Sequence, residues 1–146
     1  MKRALLVSPT EQAQAAADGL KWAHNWVPLE EAEMVVALGG DGFMLQTLHH
    51  MLESGRVLPV FGMNLGTFGF LMNEWRVDGL DSRIAEAKRF DVTPLRMVAR
   101  TIKGDVHTLP AINEVSLLRE TRQTAKVEVS LNGRVVVPEL VCDGVL

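Results

Sequence analysis

One acidic residue set among glycines is the part of the sequence best suited to chemistry. Gly39, Gly40, Asp41 and Gly42 follow an apolar run at residues 34–38 and precede a stretch in which apolar residues recur at helical spacing. A glycine turn between a strand and a helix directs main-chain N–H groups at an anion such as a phosphate. A carboxylate repels phosphate, so Asp41 indicates a further role, either accepting a proton from an attacking hydroxyl or helping to hold Mg2+.

A purely structural explanation of Asp41 competes with this one. Its side chain would act as the N-cap of the following helix by accepting a hydrogen bond from an early N–H group. Short glycine motifs often occur by chance, and the two roles are compatible. From these residues alone, both explanations stay open.

A second glycine-containing segment follows the next predicted strand. An apolar run at residues 57–61 leads into residues 62–71, which contain three glycines and Asn64. If the strands are parallel, both glycine segments lie at the carboxyl ends of strands, where open α/β sheets bind ligands. One such loop alone is more simply a chain reversal, but two on one edge favour a binding site.

Two polar pairs also interrupt apolar stretches. Asn113 and Glu114 lie within a predicted strand at residues 111–118, and Asp143 and Gly144 interrupt a later apolar run. A carboxylate can accept hydrogen bonds from both hydroxyls of a ribose, and an amide can both donate and accept. Taken alone, a strand end with solvated polar side chains is the simpler explanation of Asn113 and Glu114.

An α/β region followed by a β-rich region must position these residues. Up to about residue 92, short apolar strands alternate with helical patterns, which predicts a Rossmann-like open sheet. From residue 93, strand follows strand, and the clearest signal is a hairpin around Asn132 and Gly133. We therefore predict an α/β domain at residues 1–92 and the beginning of a β-rich domain at residues 93–146.

Local signals predict the boundaries of several elements. Ser8 and Glu11 fit a capping box with Pro9 as the first helical residue, and Gly55 fits a helix C-cap. Residues 22–33 are predicted to be a connection with a short strand. The other predicted elements are strands at 3–7, 34–38, 57–61, 95–102, 111–118, 126–131 and 134–137, and a helix at 78–90.

The composition narrows the function class. The 146 residues are 47% hydrophobic and 23% charged, with a net charge of −3, which is typical of a globular protein. No stretch is strongly basic, so we expect no nucleic-acid partner. Cys142 is the single cysteine, which excludes an internal disulfide and favours a reducing, cytoplasmic location. No apolar run approaches membrane-spanning length, so we expect no membrane partner.

Together, the four motifs resemble those of the NAD kinases, which use ATP or polyphosphate. Residues 39–42 resemble the family's Gly-Gly-Asp-Gly motif, and residues 62–71 resemble its second glycine loop. Residues 113–115 resemble its Asn-Glu motif, and residues 143–144 resemble the Asp-Gly that follows the hairpin. The first motif is shared with lipid kinases and phosphofructokinases, whereas the other three make the resemblance specific.

The resemblance implies phosphoryl transfer to the 2′-hydroxyl of the adenosine ribose of NAD, which gives NADP. It implies that Asp41 is the general base and that Mg2+, a divalent metal, arrives with the phosphoryl donor rather than on a direct protein ligand. It also implies a homo-oligomer when the chain is full length. The implied contacts with the donor phosphates are Gly39, Gly40, Gly42 and Asn64. The implied contacts with NAD are Asp41, Gly42, Phe70, Asn113, Glu114 and Asp143.

Two features depart from the family pattern. Phe43 stands where the family usually has threonine, which places a ring where a hydroxyl would meet a phosphate or metal. The sequence ends at Leu146, whereas family members continue through a β-rich domain with a Gly-Ser-Thr-Ala-Tyr-like segment, so we expect a fragment. Two alternatives therefore stay open: a non-catalytic dinucleotide-binding module, and a lipid or sugar kinase that shares only the Gly-Gly-Asp-Gly motif.

Overall fold

The structure, a computed structural model, describes residues 1–66 and 69–146. These residues form two compact units, Met1–Val92 and Thr93–Leu146, each with its own β-sheets. The elements of the first unit are β1 (Arg3–Val7), α1 (Glu11–Ala23), a 3-10 helix (Leu29–Glu31), β2 (Met34–Gly39), α2 (Asp41–Ser54), β3 (Val60–Asn64), β4 (Asn73–Glu74) and α3 (Leu80–Glu86).

A parallel sheet with the strand order β1-β2-β3-β4 forms the centre of the first unit. All six residues of β2 are buried, as expected for a strand covered on both faces. The register pairs Gly39, at the end of β2, with Asn64, at the end of β3. The segments that follow these two strands therefore start side by side, and the predicted open α/β sheet is confirmed.

Helices cover both faces of this sheet. Because successive strand residues point to opposite faces, β2 contributes to two separate apolar clusters. The cluster against α1 and α3 contains Ala13, Ala17, Leu20, Met34, Val36, Leu38, Phe61, Met63 and Leu80. The cluster that includes Met51 of α2 contains Ala4, Ala32, Val35 and Met51. Within the described residues, no helix has both the length and the apolar character that a membrane span requires.

Helix α1 begins two residues later than the predicted capping box. Its N-cap is Thr10, whose hydroxyl accepts a hydrogen bond from the Ala13 N–H at 3.4 Å. The Ser8 prediction is wrong because the Ser8 main chain still follows the sheet: its N–H donates to the Leu38 carbonyl at 2.9 Å. Ser8 therefore extends the pairing of β1 with β2 by one residue, and the helix begins only at Glu11.

Two other boundaries in the first unit differ from the predictions. Residues 22–33 contain the 3-10 helix Leu29–Glu31 and no short strand. Strand β3 begins at Val60, not at residue 57, because the Pro59 carbonyl makes the first bond to β2 by accepting from the Val35 N–H at 2.9 Å. It therefore extends to Asn64 and takes in the first three residues of the predicted glycine loop.

The C-terminal end of α2 matches its prediction, whereas that of α3 does not. Gly55 is the C-cap of α2 with a φ of 69°, so the predicted glycine C-cap is confirmed. Helix α3 spans Leu80–Glu86 and is shorter than the predicted 78–90. Leu80 is buried, but every residue from 85 to 92 is exposed, so no apolar contact extends the helix.

The second unit consists of antiparallel strand pairs. The predicted hairpin is confirmed: Leu131 pairs with Arg134 across Asn132 and Gly133, whose φ angles are 51° and 78°. Positive φ at both turn residues matches a type I′ turn. The elements are β5 (Leu95–Arg100), β6 (Val106–Ala111), β7 (Leu117–Leu118), β8 (Ala125–Leu131), β9 (Arg134–Cys142) and β10 (Gly144–Val145), paired as β5 with β6, β7 with β10 and β8 with β9.

The predicted strand at residues 111–118 is wrong. Ala111 is the last residue of β6, a bend follows, and only Leu117 and Leu118 form a strand, β7. Proline in the strand favours this break because Pro110 supplies no N–H to a ladder. Asn113 and Glu114 therefore lie on irregular backbone between two strands.

Candidate functional site

Asp41 is the first residue of α2, and Gly40 is the N-cap. The Asp41 carboxylate does not cap its own helix. Instead, Oδ2 accepts from the Phe70 N–H at 2.8 Å and Oδ1 accepts from the Leu71 N–H at 3.2 Å. The N-cap explanation of Asp41 is therefore wrong, because the side chain bonds to the second glycine segment rather than to its own first turn.

Gly40 and Gly42 leave open space beside Asp41. Apart from their chain neighbours and the helix's own backbone, no described atom lies within 4 Å of a Cβ built at either position. Their backbone does not require glycine either: Gly40 has a φ of −113°, and Gly42 lies in the first turn of α2. No described side chain caps this helix, so its first N–H groups face a space bordered by two glycines and a carboxylate.

Gly39 has a different environment because Phe43 packs against it. A Cβ built at Gly39 would lie 2.9 Å from both Cβ and Cδ1 of Phe43. The half-buried ring of Phe43 therefore lies over the end of β2, which explains glycine at position 39. The ring does not approach the space beside Gly40, since a Cβ there meets no atom of Phe43 within 4 Å.

The second glycine segment begins inside the core. Gly62 lies in β3, where a built Cβ would be 2.3 Å from Met72 Sδ and 2.4 Å from Met44 Cε. Asn64 ends the strand, and its Oδ1 accepts from the Gly66 N–H at 3.0 Å. The segment thus leaves the sheet through a turn that the Asn64 side chain stabilises. The predicted segment also includes residues 67 and 68, which lie outside the described residues.

The end of this segment returns to Asp41. A Cβ built at Gly69 would lie 2.2 Å from Asp41 Oδ1, so the carboxylate occupies the space of a side chain. The next residue, Phe70, is 101% exposed while its N–H bonds to the carboxylate. The structure therefore brings Asp41 and Phe70 together at the edge of the sheet where Gly39 pairs with Asn64.

In the second unit, Asn113 and Glu114 are exposed on the irregular segment between β6 and β7. They follow the end of β6 at Ala111, which matches the simpler explanation of a strand end with solvated polar side chains. Their polar groups face solvent, which costs no desolvation and leaves them accessible to a ligand.

Asp143 is held by an arginine that the sequence did not indicate. Arg119 Nε lies 2.5 Å from Asp143 Oδ1, and the Arg119 N–H donates to the Asp143 carbonyl at 2.9 Å. The adjacent Gly144 pairs with Leu118, and a Cβ there would lie 2.6 Å from the Leu117 carbonyl oxygen. The Asp-Gly pair therefore has a structural reason for its glycine and a charged partner for its carboxylate.

Three residues of this arrangement were missed by sequence reasoning. Gly69 and Leu71 were inside a recognised motif, but nothing local indicated that they contact Asp41. The signal was indirect: both segments follow neighbouring strands of one parallel sheet. Arg119 had no such signal, because its pairing with Asp143 depends on the contact of β7 with β10.

Comparison with known proteins identifies the family of this chain. The sequence model of the ATP-NAD kinase N-terminal domain matches residues 5–81, more than half of the chain. The NAD kinase of Rhizorhabdus wittichii is 62% identical over 145 residues, covering 99% of this chain and 56% of the relative. The NAD kinase of Zymomonas mobilis is 62% identical over 142 residues, covering 97% and 55%, and that of Caulobacter vibrioides is 50% identical over 139 residues, covering 95% and 53%.

The chain thus spans about half the length of the curated relatives it matches. The part that the family model recognises begins within β1 and contains β2, β3, α2 and both glycine segments. With a family model over more than half of its length, and with these relatives, the chain belongs to the NAD kinase family.

Proposed function

We propose that this chain carries the catalytic base and the donor-phosphate contacts of an NAD kinase. The reaction transfers a phosphoryl group from ATP or polyphosphate to the 2′-hydroxyl of the adenosine ribose of NAD, giving NADP. One observation carries the proposal: a carboxylate, Asp41, stands at a helix N-terminus between two glycines whose missing side chains leave open space among the described residues.

The open space is the argument for a phosphate. Glycine in a helix costs about 1 kcal/mol relative to alanine, so Gly42 needs a compensating reason. Neither a positive φ nor a described neighbour supplies one. A phosphate bound at the main-chain N–H groups of the first turn of α2 would supply that reason, because a Cβ at Gly40 or Gly42 would block its approach.

The role of Asp41 follows from its chemistry. A ribose hydroxyl is a weak nucleophile, and a nearby carboxylate is the simplest base for it. Asp41 accepts the proton of the 2′-hydroxyl while the 2′-oxygen forms a bond to the terminal phosphorus of the donor. The bond from that phosphorus to the bridging oxygen breaks, and the electron pair leaves with ADP or with the shortened polyphosphate.

The other predicted residues are assigned to the two ligands. Gly39, Gly40, Gly42 and Asn64 contact the donor phosphates, with Gly39 acting through its main chain because Phe43 packs on its Cα. Together with Asp41 and Gly42, the residues proposed to contact NAD are Phe70, Asn113, Glu114 and Asp143. The exposed ring of Phe70 suits stacking on a base, and the exposed Asn113 and Glu114 suit hydrogen bonds to ribose hydroxyls.

Mg2+ is proposed to arrive with the donor. The described residues contain no group of three or more His, Cys, Asp or Glu side chains that could hold a metal ion. Mg2+ is commonly bound through substrate phosphates, waters and one or two carboxylates, which fits a site where Asp41 is the nearby acid. When bound, the ion offsets the negative charge of the donor phosphates. A homo-oligomeric state and a cytoplasmic location complete the proposal.

The decisive experiment uses a chimera and one substitution. Residues 1–146 replace the matching 56% of the Rhizorhabdus wittichii relative, and NADP formation is measured with ATP or polyphosphate. We expect Asp41→Asn to lower kcat by about 10²- to 10⁴-fold, the range for loss of a general base. The matched control, Asp18→Asn, removes an exposed carboxylate of α1 that pairs only with Lys21 in the described structure and should leave kcat unchanged.

Three results would contradict the proposal. A chimera that phosphorylates a lipid or a sugar but not NAD would favour the wider Gly-Gly-Asp-Gly kinases. Saturable NAD binding, measured by calorimetry, without any phosphoryl transfer would indicate a non-catalytic dinucleotide-binding module. An active chimera in which Asp41→Asn keeps the full rate would remove Asp41 from the role of base.

A further inference from the structure

Both oxygens of the Asp41 carboxylate accept hydrogen bonds from main-chain N–H groups, which lie 29 and 30 residues away in sequence. Oδ2 accepts from the Phe70 N–H at 2.8 Å and Oδ1 from the Leu71 N–H at 3.2 Å. Two bonds to consecutive amides fix both the position and the plane of a carboxylate, since rotation about its terminal bond would break them.

Gly69 is the residue that makes this approach possible. A Cβ at this position would lie 2.2 Å from Oδ1, 2.7 Å from Cγ and 3.0 Å from Oδ2 of Asp41. Non-bonded heavy atoms pack at about 3.5–4.0 Å, so an alanine at position 69 and the present Asp41 rotamer exclude each other. Either the carboxylate turns away or the segment at residues 69–71 moves back.

We infer that Gly69 is a positioning residue for Asp41: its missing side chain lets the next two amides hold the general base in its working orientation before substrate binds. This inference rests on the proposed function of Asp41. Each carboxylate oxygen has lone pairs beyond the one that its amide uses, so the fastened group can still accept the proton of a hydroxyl. Holding a reacting group in place removes an entropic cost from the reaction step.

The same segment contains a matched control, Gly66. The nearest described atom to a Cβ built there is Asn64 Oδ1 at 3.8 Å, an ordinary contact distance. Gly66→Ala therefore makes the same chemical change three residues earlier without reaching Asp41. A difference between the two variants reports on the carboxylate contact rather than on glycine content.

The first measurement is amide hydrogen exchange, read by NMR on the 146-residue chain. A hydrogen bond is worth roughly 1 kcal/mol, so we expect Gly69→Ala to speed exchange of the Phe70 and Leu71 amides by about fivefold to tenfold. Asp41→Ala should speed the same two amides, because it removes the acceptor. Gly66→Ala should leave both rates unchanged, and the Val36 amide of β2 should stay protected in every variant, which reports an intact fold.

The second measurement is steady-state kinetics in the chimera described above. We expect Gly69→Ala to lower kcat by about 10²-fold, the cost of misplacing a reacting group by about 1 Å, with KM for NAD changed by less than about threefold. Gly66→Ala should keep kcat. A residue that only stabilised the fold would not produce this separation of kcat from KM at a temperature where all variants are folded.

Failure of this inference and failure of the proposed function give different results. If the unsubstituted chimera makes no NADP, the proposed function fails, and the exchange rates still decide whether Gly69 positions Asp41. If the chimera is active and Gly69→Ala keeps kcat, or raises only KM, the positioning role is overturned while the function stands. Unchanged exchange at Phe70 and Leu71 in Gly69→Ala would also overturn it.

Discussion

Two strand–turn–helix units, β1–α1 and β2–α2, have neighbouring strands in the same parallel sheet. They differ in how the N-terminus of the helix is capped. Between β1 and α1, the Thr10 hydroxyl caps the helix by accepting from the Ala13 N–H, and Gln14 Nε2 donates to the Ser8 carbonyl at 2.9 Å. Between β2 and α2, the N-cap is Gly40, and no described side chain makes a cap bond. Side chains at the start of α1 thus bond to main-chain groups of this turn and of the helix, whereas no described side chain makes a cap bond to the first N–H groups of α2.

This difference favours a structural role for the turn before α1 and supports the proposed binding role of the turn before α2. Strand β1 lies at the edge of the sheet and β2 in its interior, but both α1 and α2 bury an apolar face against the sheet, so burial of the helix does not explain the missing cap of α2. A helix that forgoes a cap and accepts glycine in its first turn loses stability. Such a loss is common at sites where a ligand supplies the missing contacts. Three substitutions test the comparison, in order of their expected effect on the free energy of unfolding, and a fourth, Gly55→Ala, is the matched control for the second.

The largest effect is expected from Thr10→Ala in the turn before α1, which a side chain caps (the closed turn, in contrast to the open turn before α2). Loss of the cap should lower the free energy of unfolding by about 1 kcal/mol, within a general range of about 0.5–2 kcal/mol. Urea denaturation of the 146-residue chain measures it, and Thr10→Ser, which keeps the hydroxyl, is the control. The affinity for NAD or ATP should not change. A loss of affinity at unchanged stability would mean that the first turn also belongs to a ligand site.

The second prediction concerns Gly42→Ala in the open turn. Alanine should raise the free energy of unfolding by about 0.5–1 kcal/mol, because glycine is the poorer helix former and no described neighbour opposes the Cβ. Donor binding, measured by titrating ATP with Mg2+, should weaken at the same time. A stability gain without any loss of affinity would break the comparison, because the space beside Gly42 would then have no ligand.

Gly55→Ala at the other end of α2 is the matched control for that prediction. The substitution is the same and the helix is the same, but Gly55 has a φ of 69°. Alanine in this left-handed conformation should lower the free energy of unfolding by about 1 kcal/mol. Opposite signs at the two ends of one helix would establish that the Gly42 effect arises from helix propensity and open space.

The smallest effect is expected from Gly40→Ser. Serine and glycine differ by only a few tenths of a kcal/mol at an N-cap, so the urea midpoint should move little and in the direction of greater stability. The added hydroxyl would close the turn as Thr10 does in α1, and the ATP affinity should fall. A chain that gains the cap and still binds ATP equally well would contradict the assignment of the first N–H groups of α2 to a phosphate.

Regular elements and motif positions were largely predictable because they depend on neighbouring residues. Strand β1 matches its predicted bounds, the Asn132-Gly133 turn has the expected positive φ angles, and Gly55 ends α2. The predicted boundaries were wrong where a residue distant in sequence decided the local structure. Ser8 stays bonded to Leu38 of the next strand rather than capping a helix, and β3 begins where the Pro59 carbonyl meets Val35.

Local sequence places a carboxylate among glycines, adds a second glycine segment, and sets a hairpin before an Asp-Gly pair. The bonds of the Asp41 carboxylate, in contrast, follow from the folded sheet. Its partners, the amides of Phe70 and Leu71, are 29 and 30 residues away, and they reach it because parallel β2 and β3 end in register at Gly39 and Asn64. Main-chain N–H groups are the same at every residue, so no local pattern identifies such a partner until the sheet has formed.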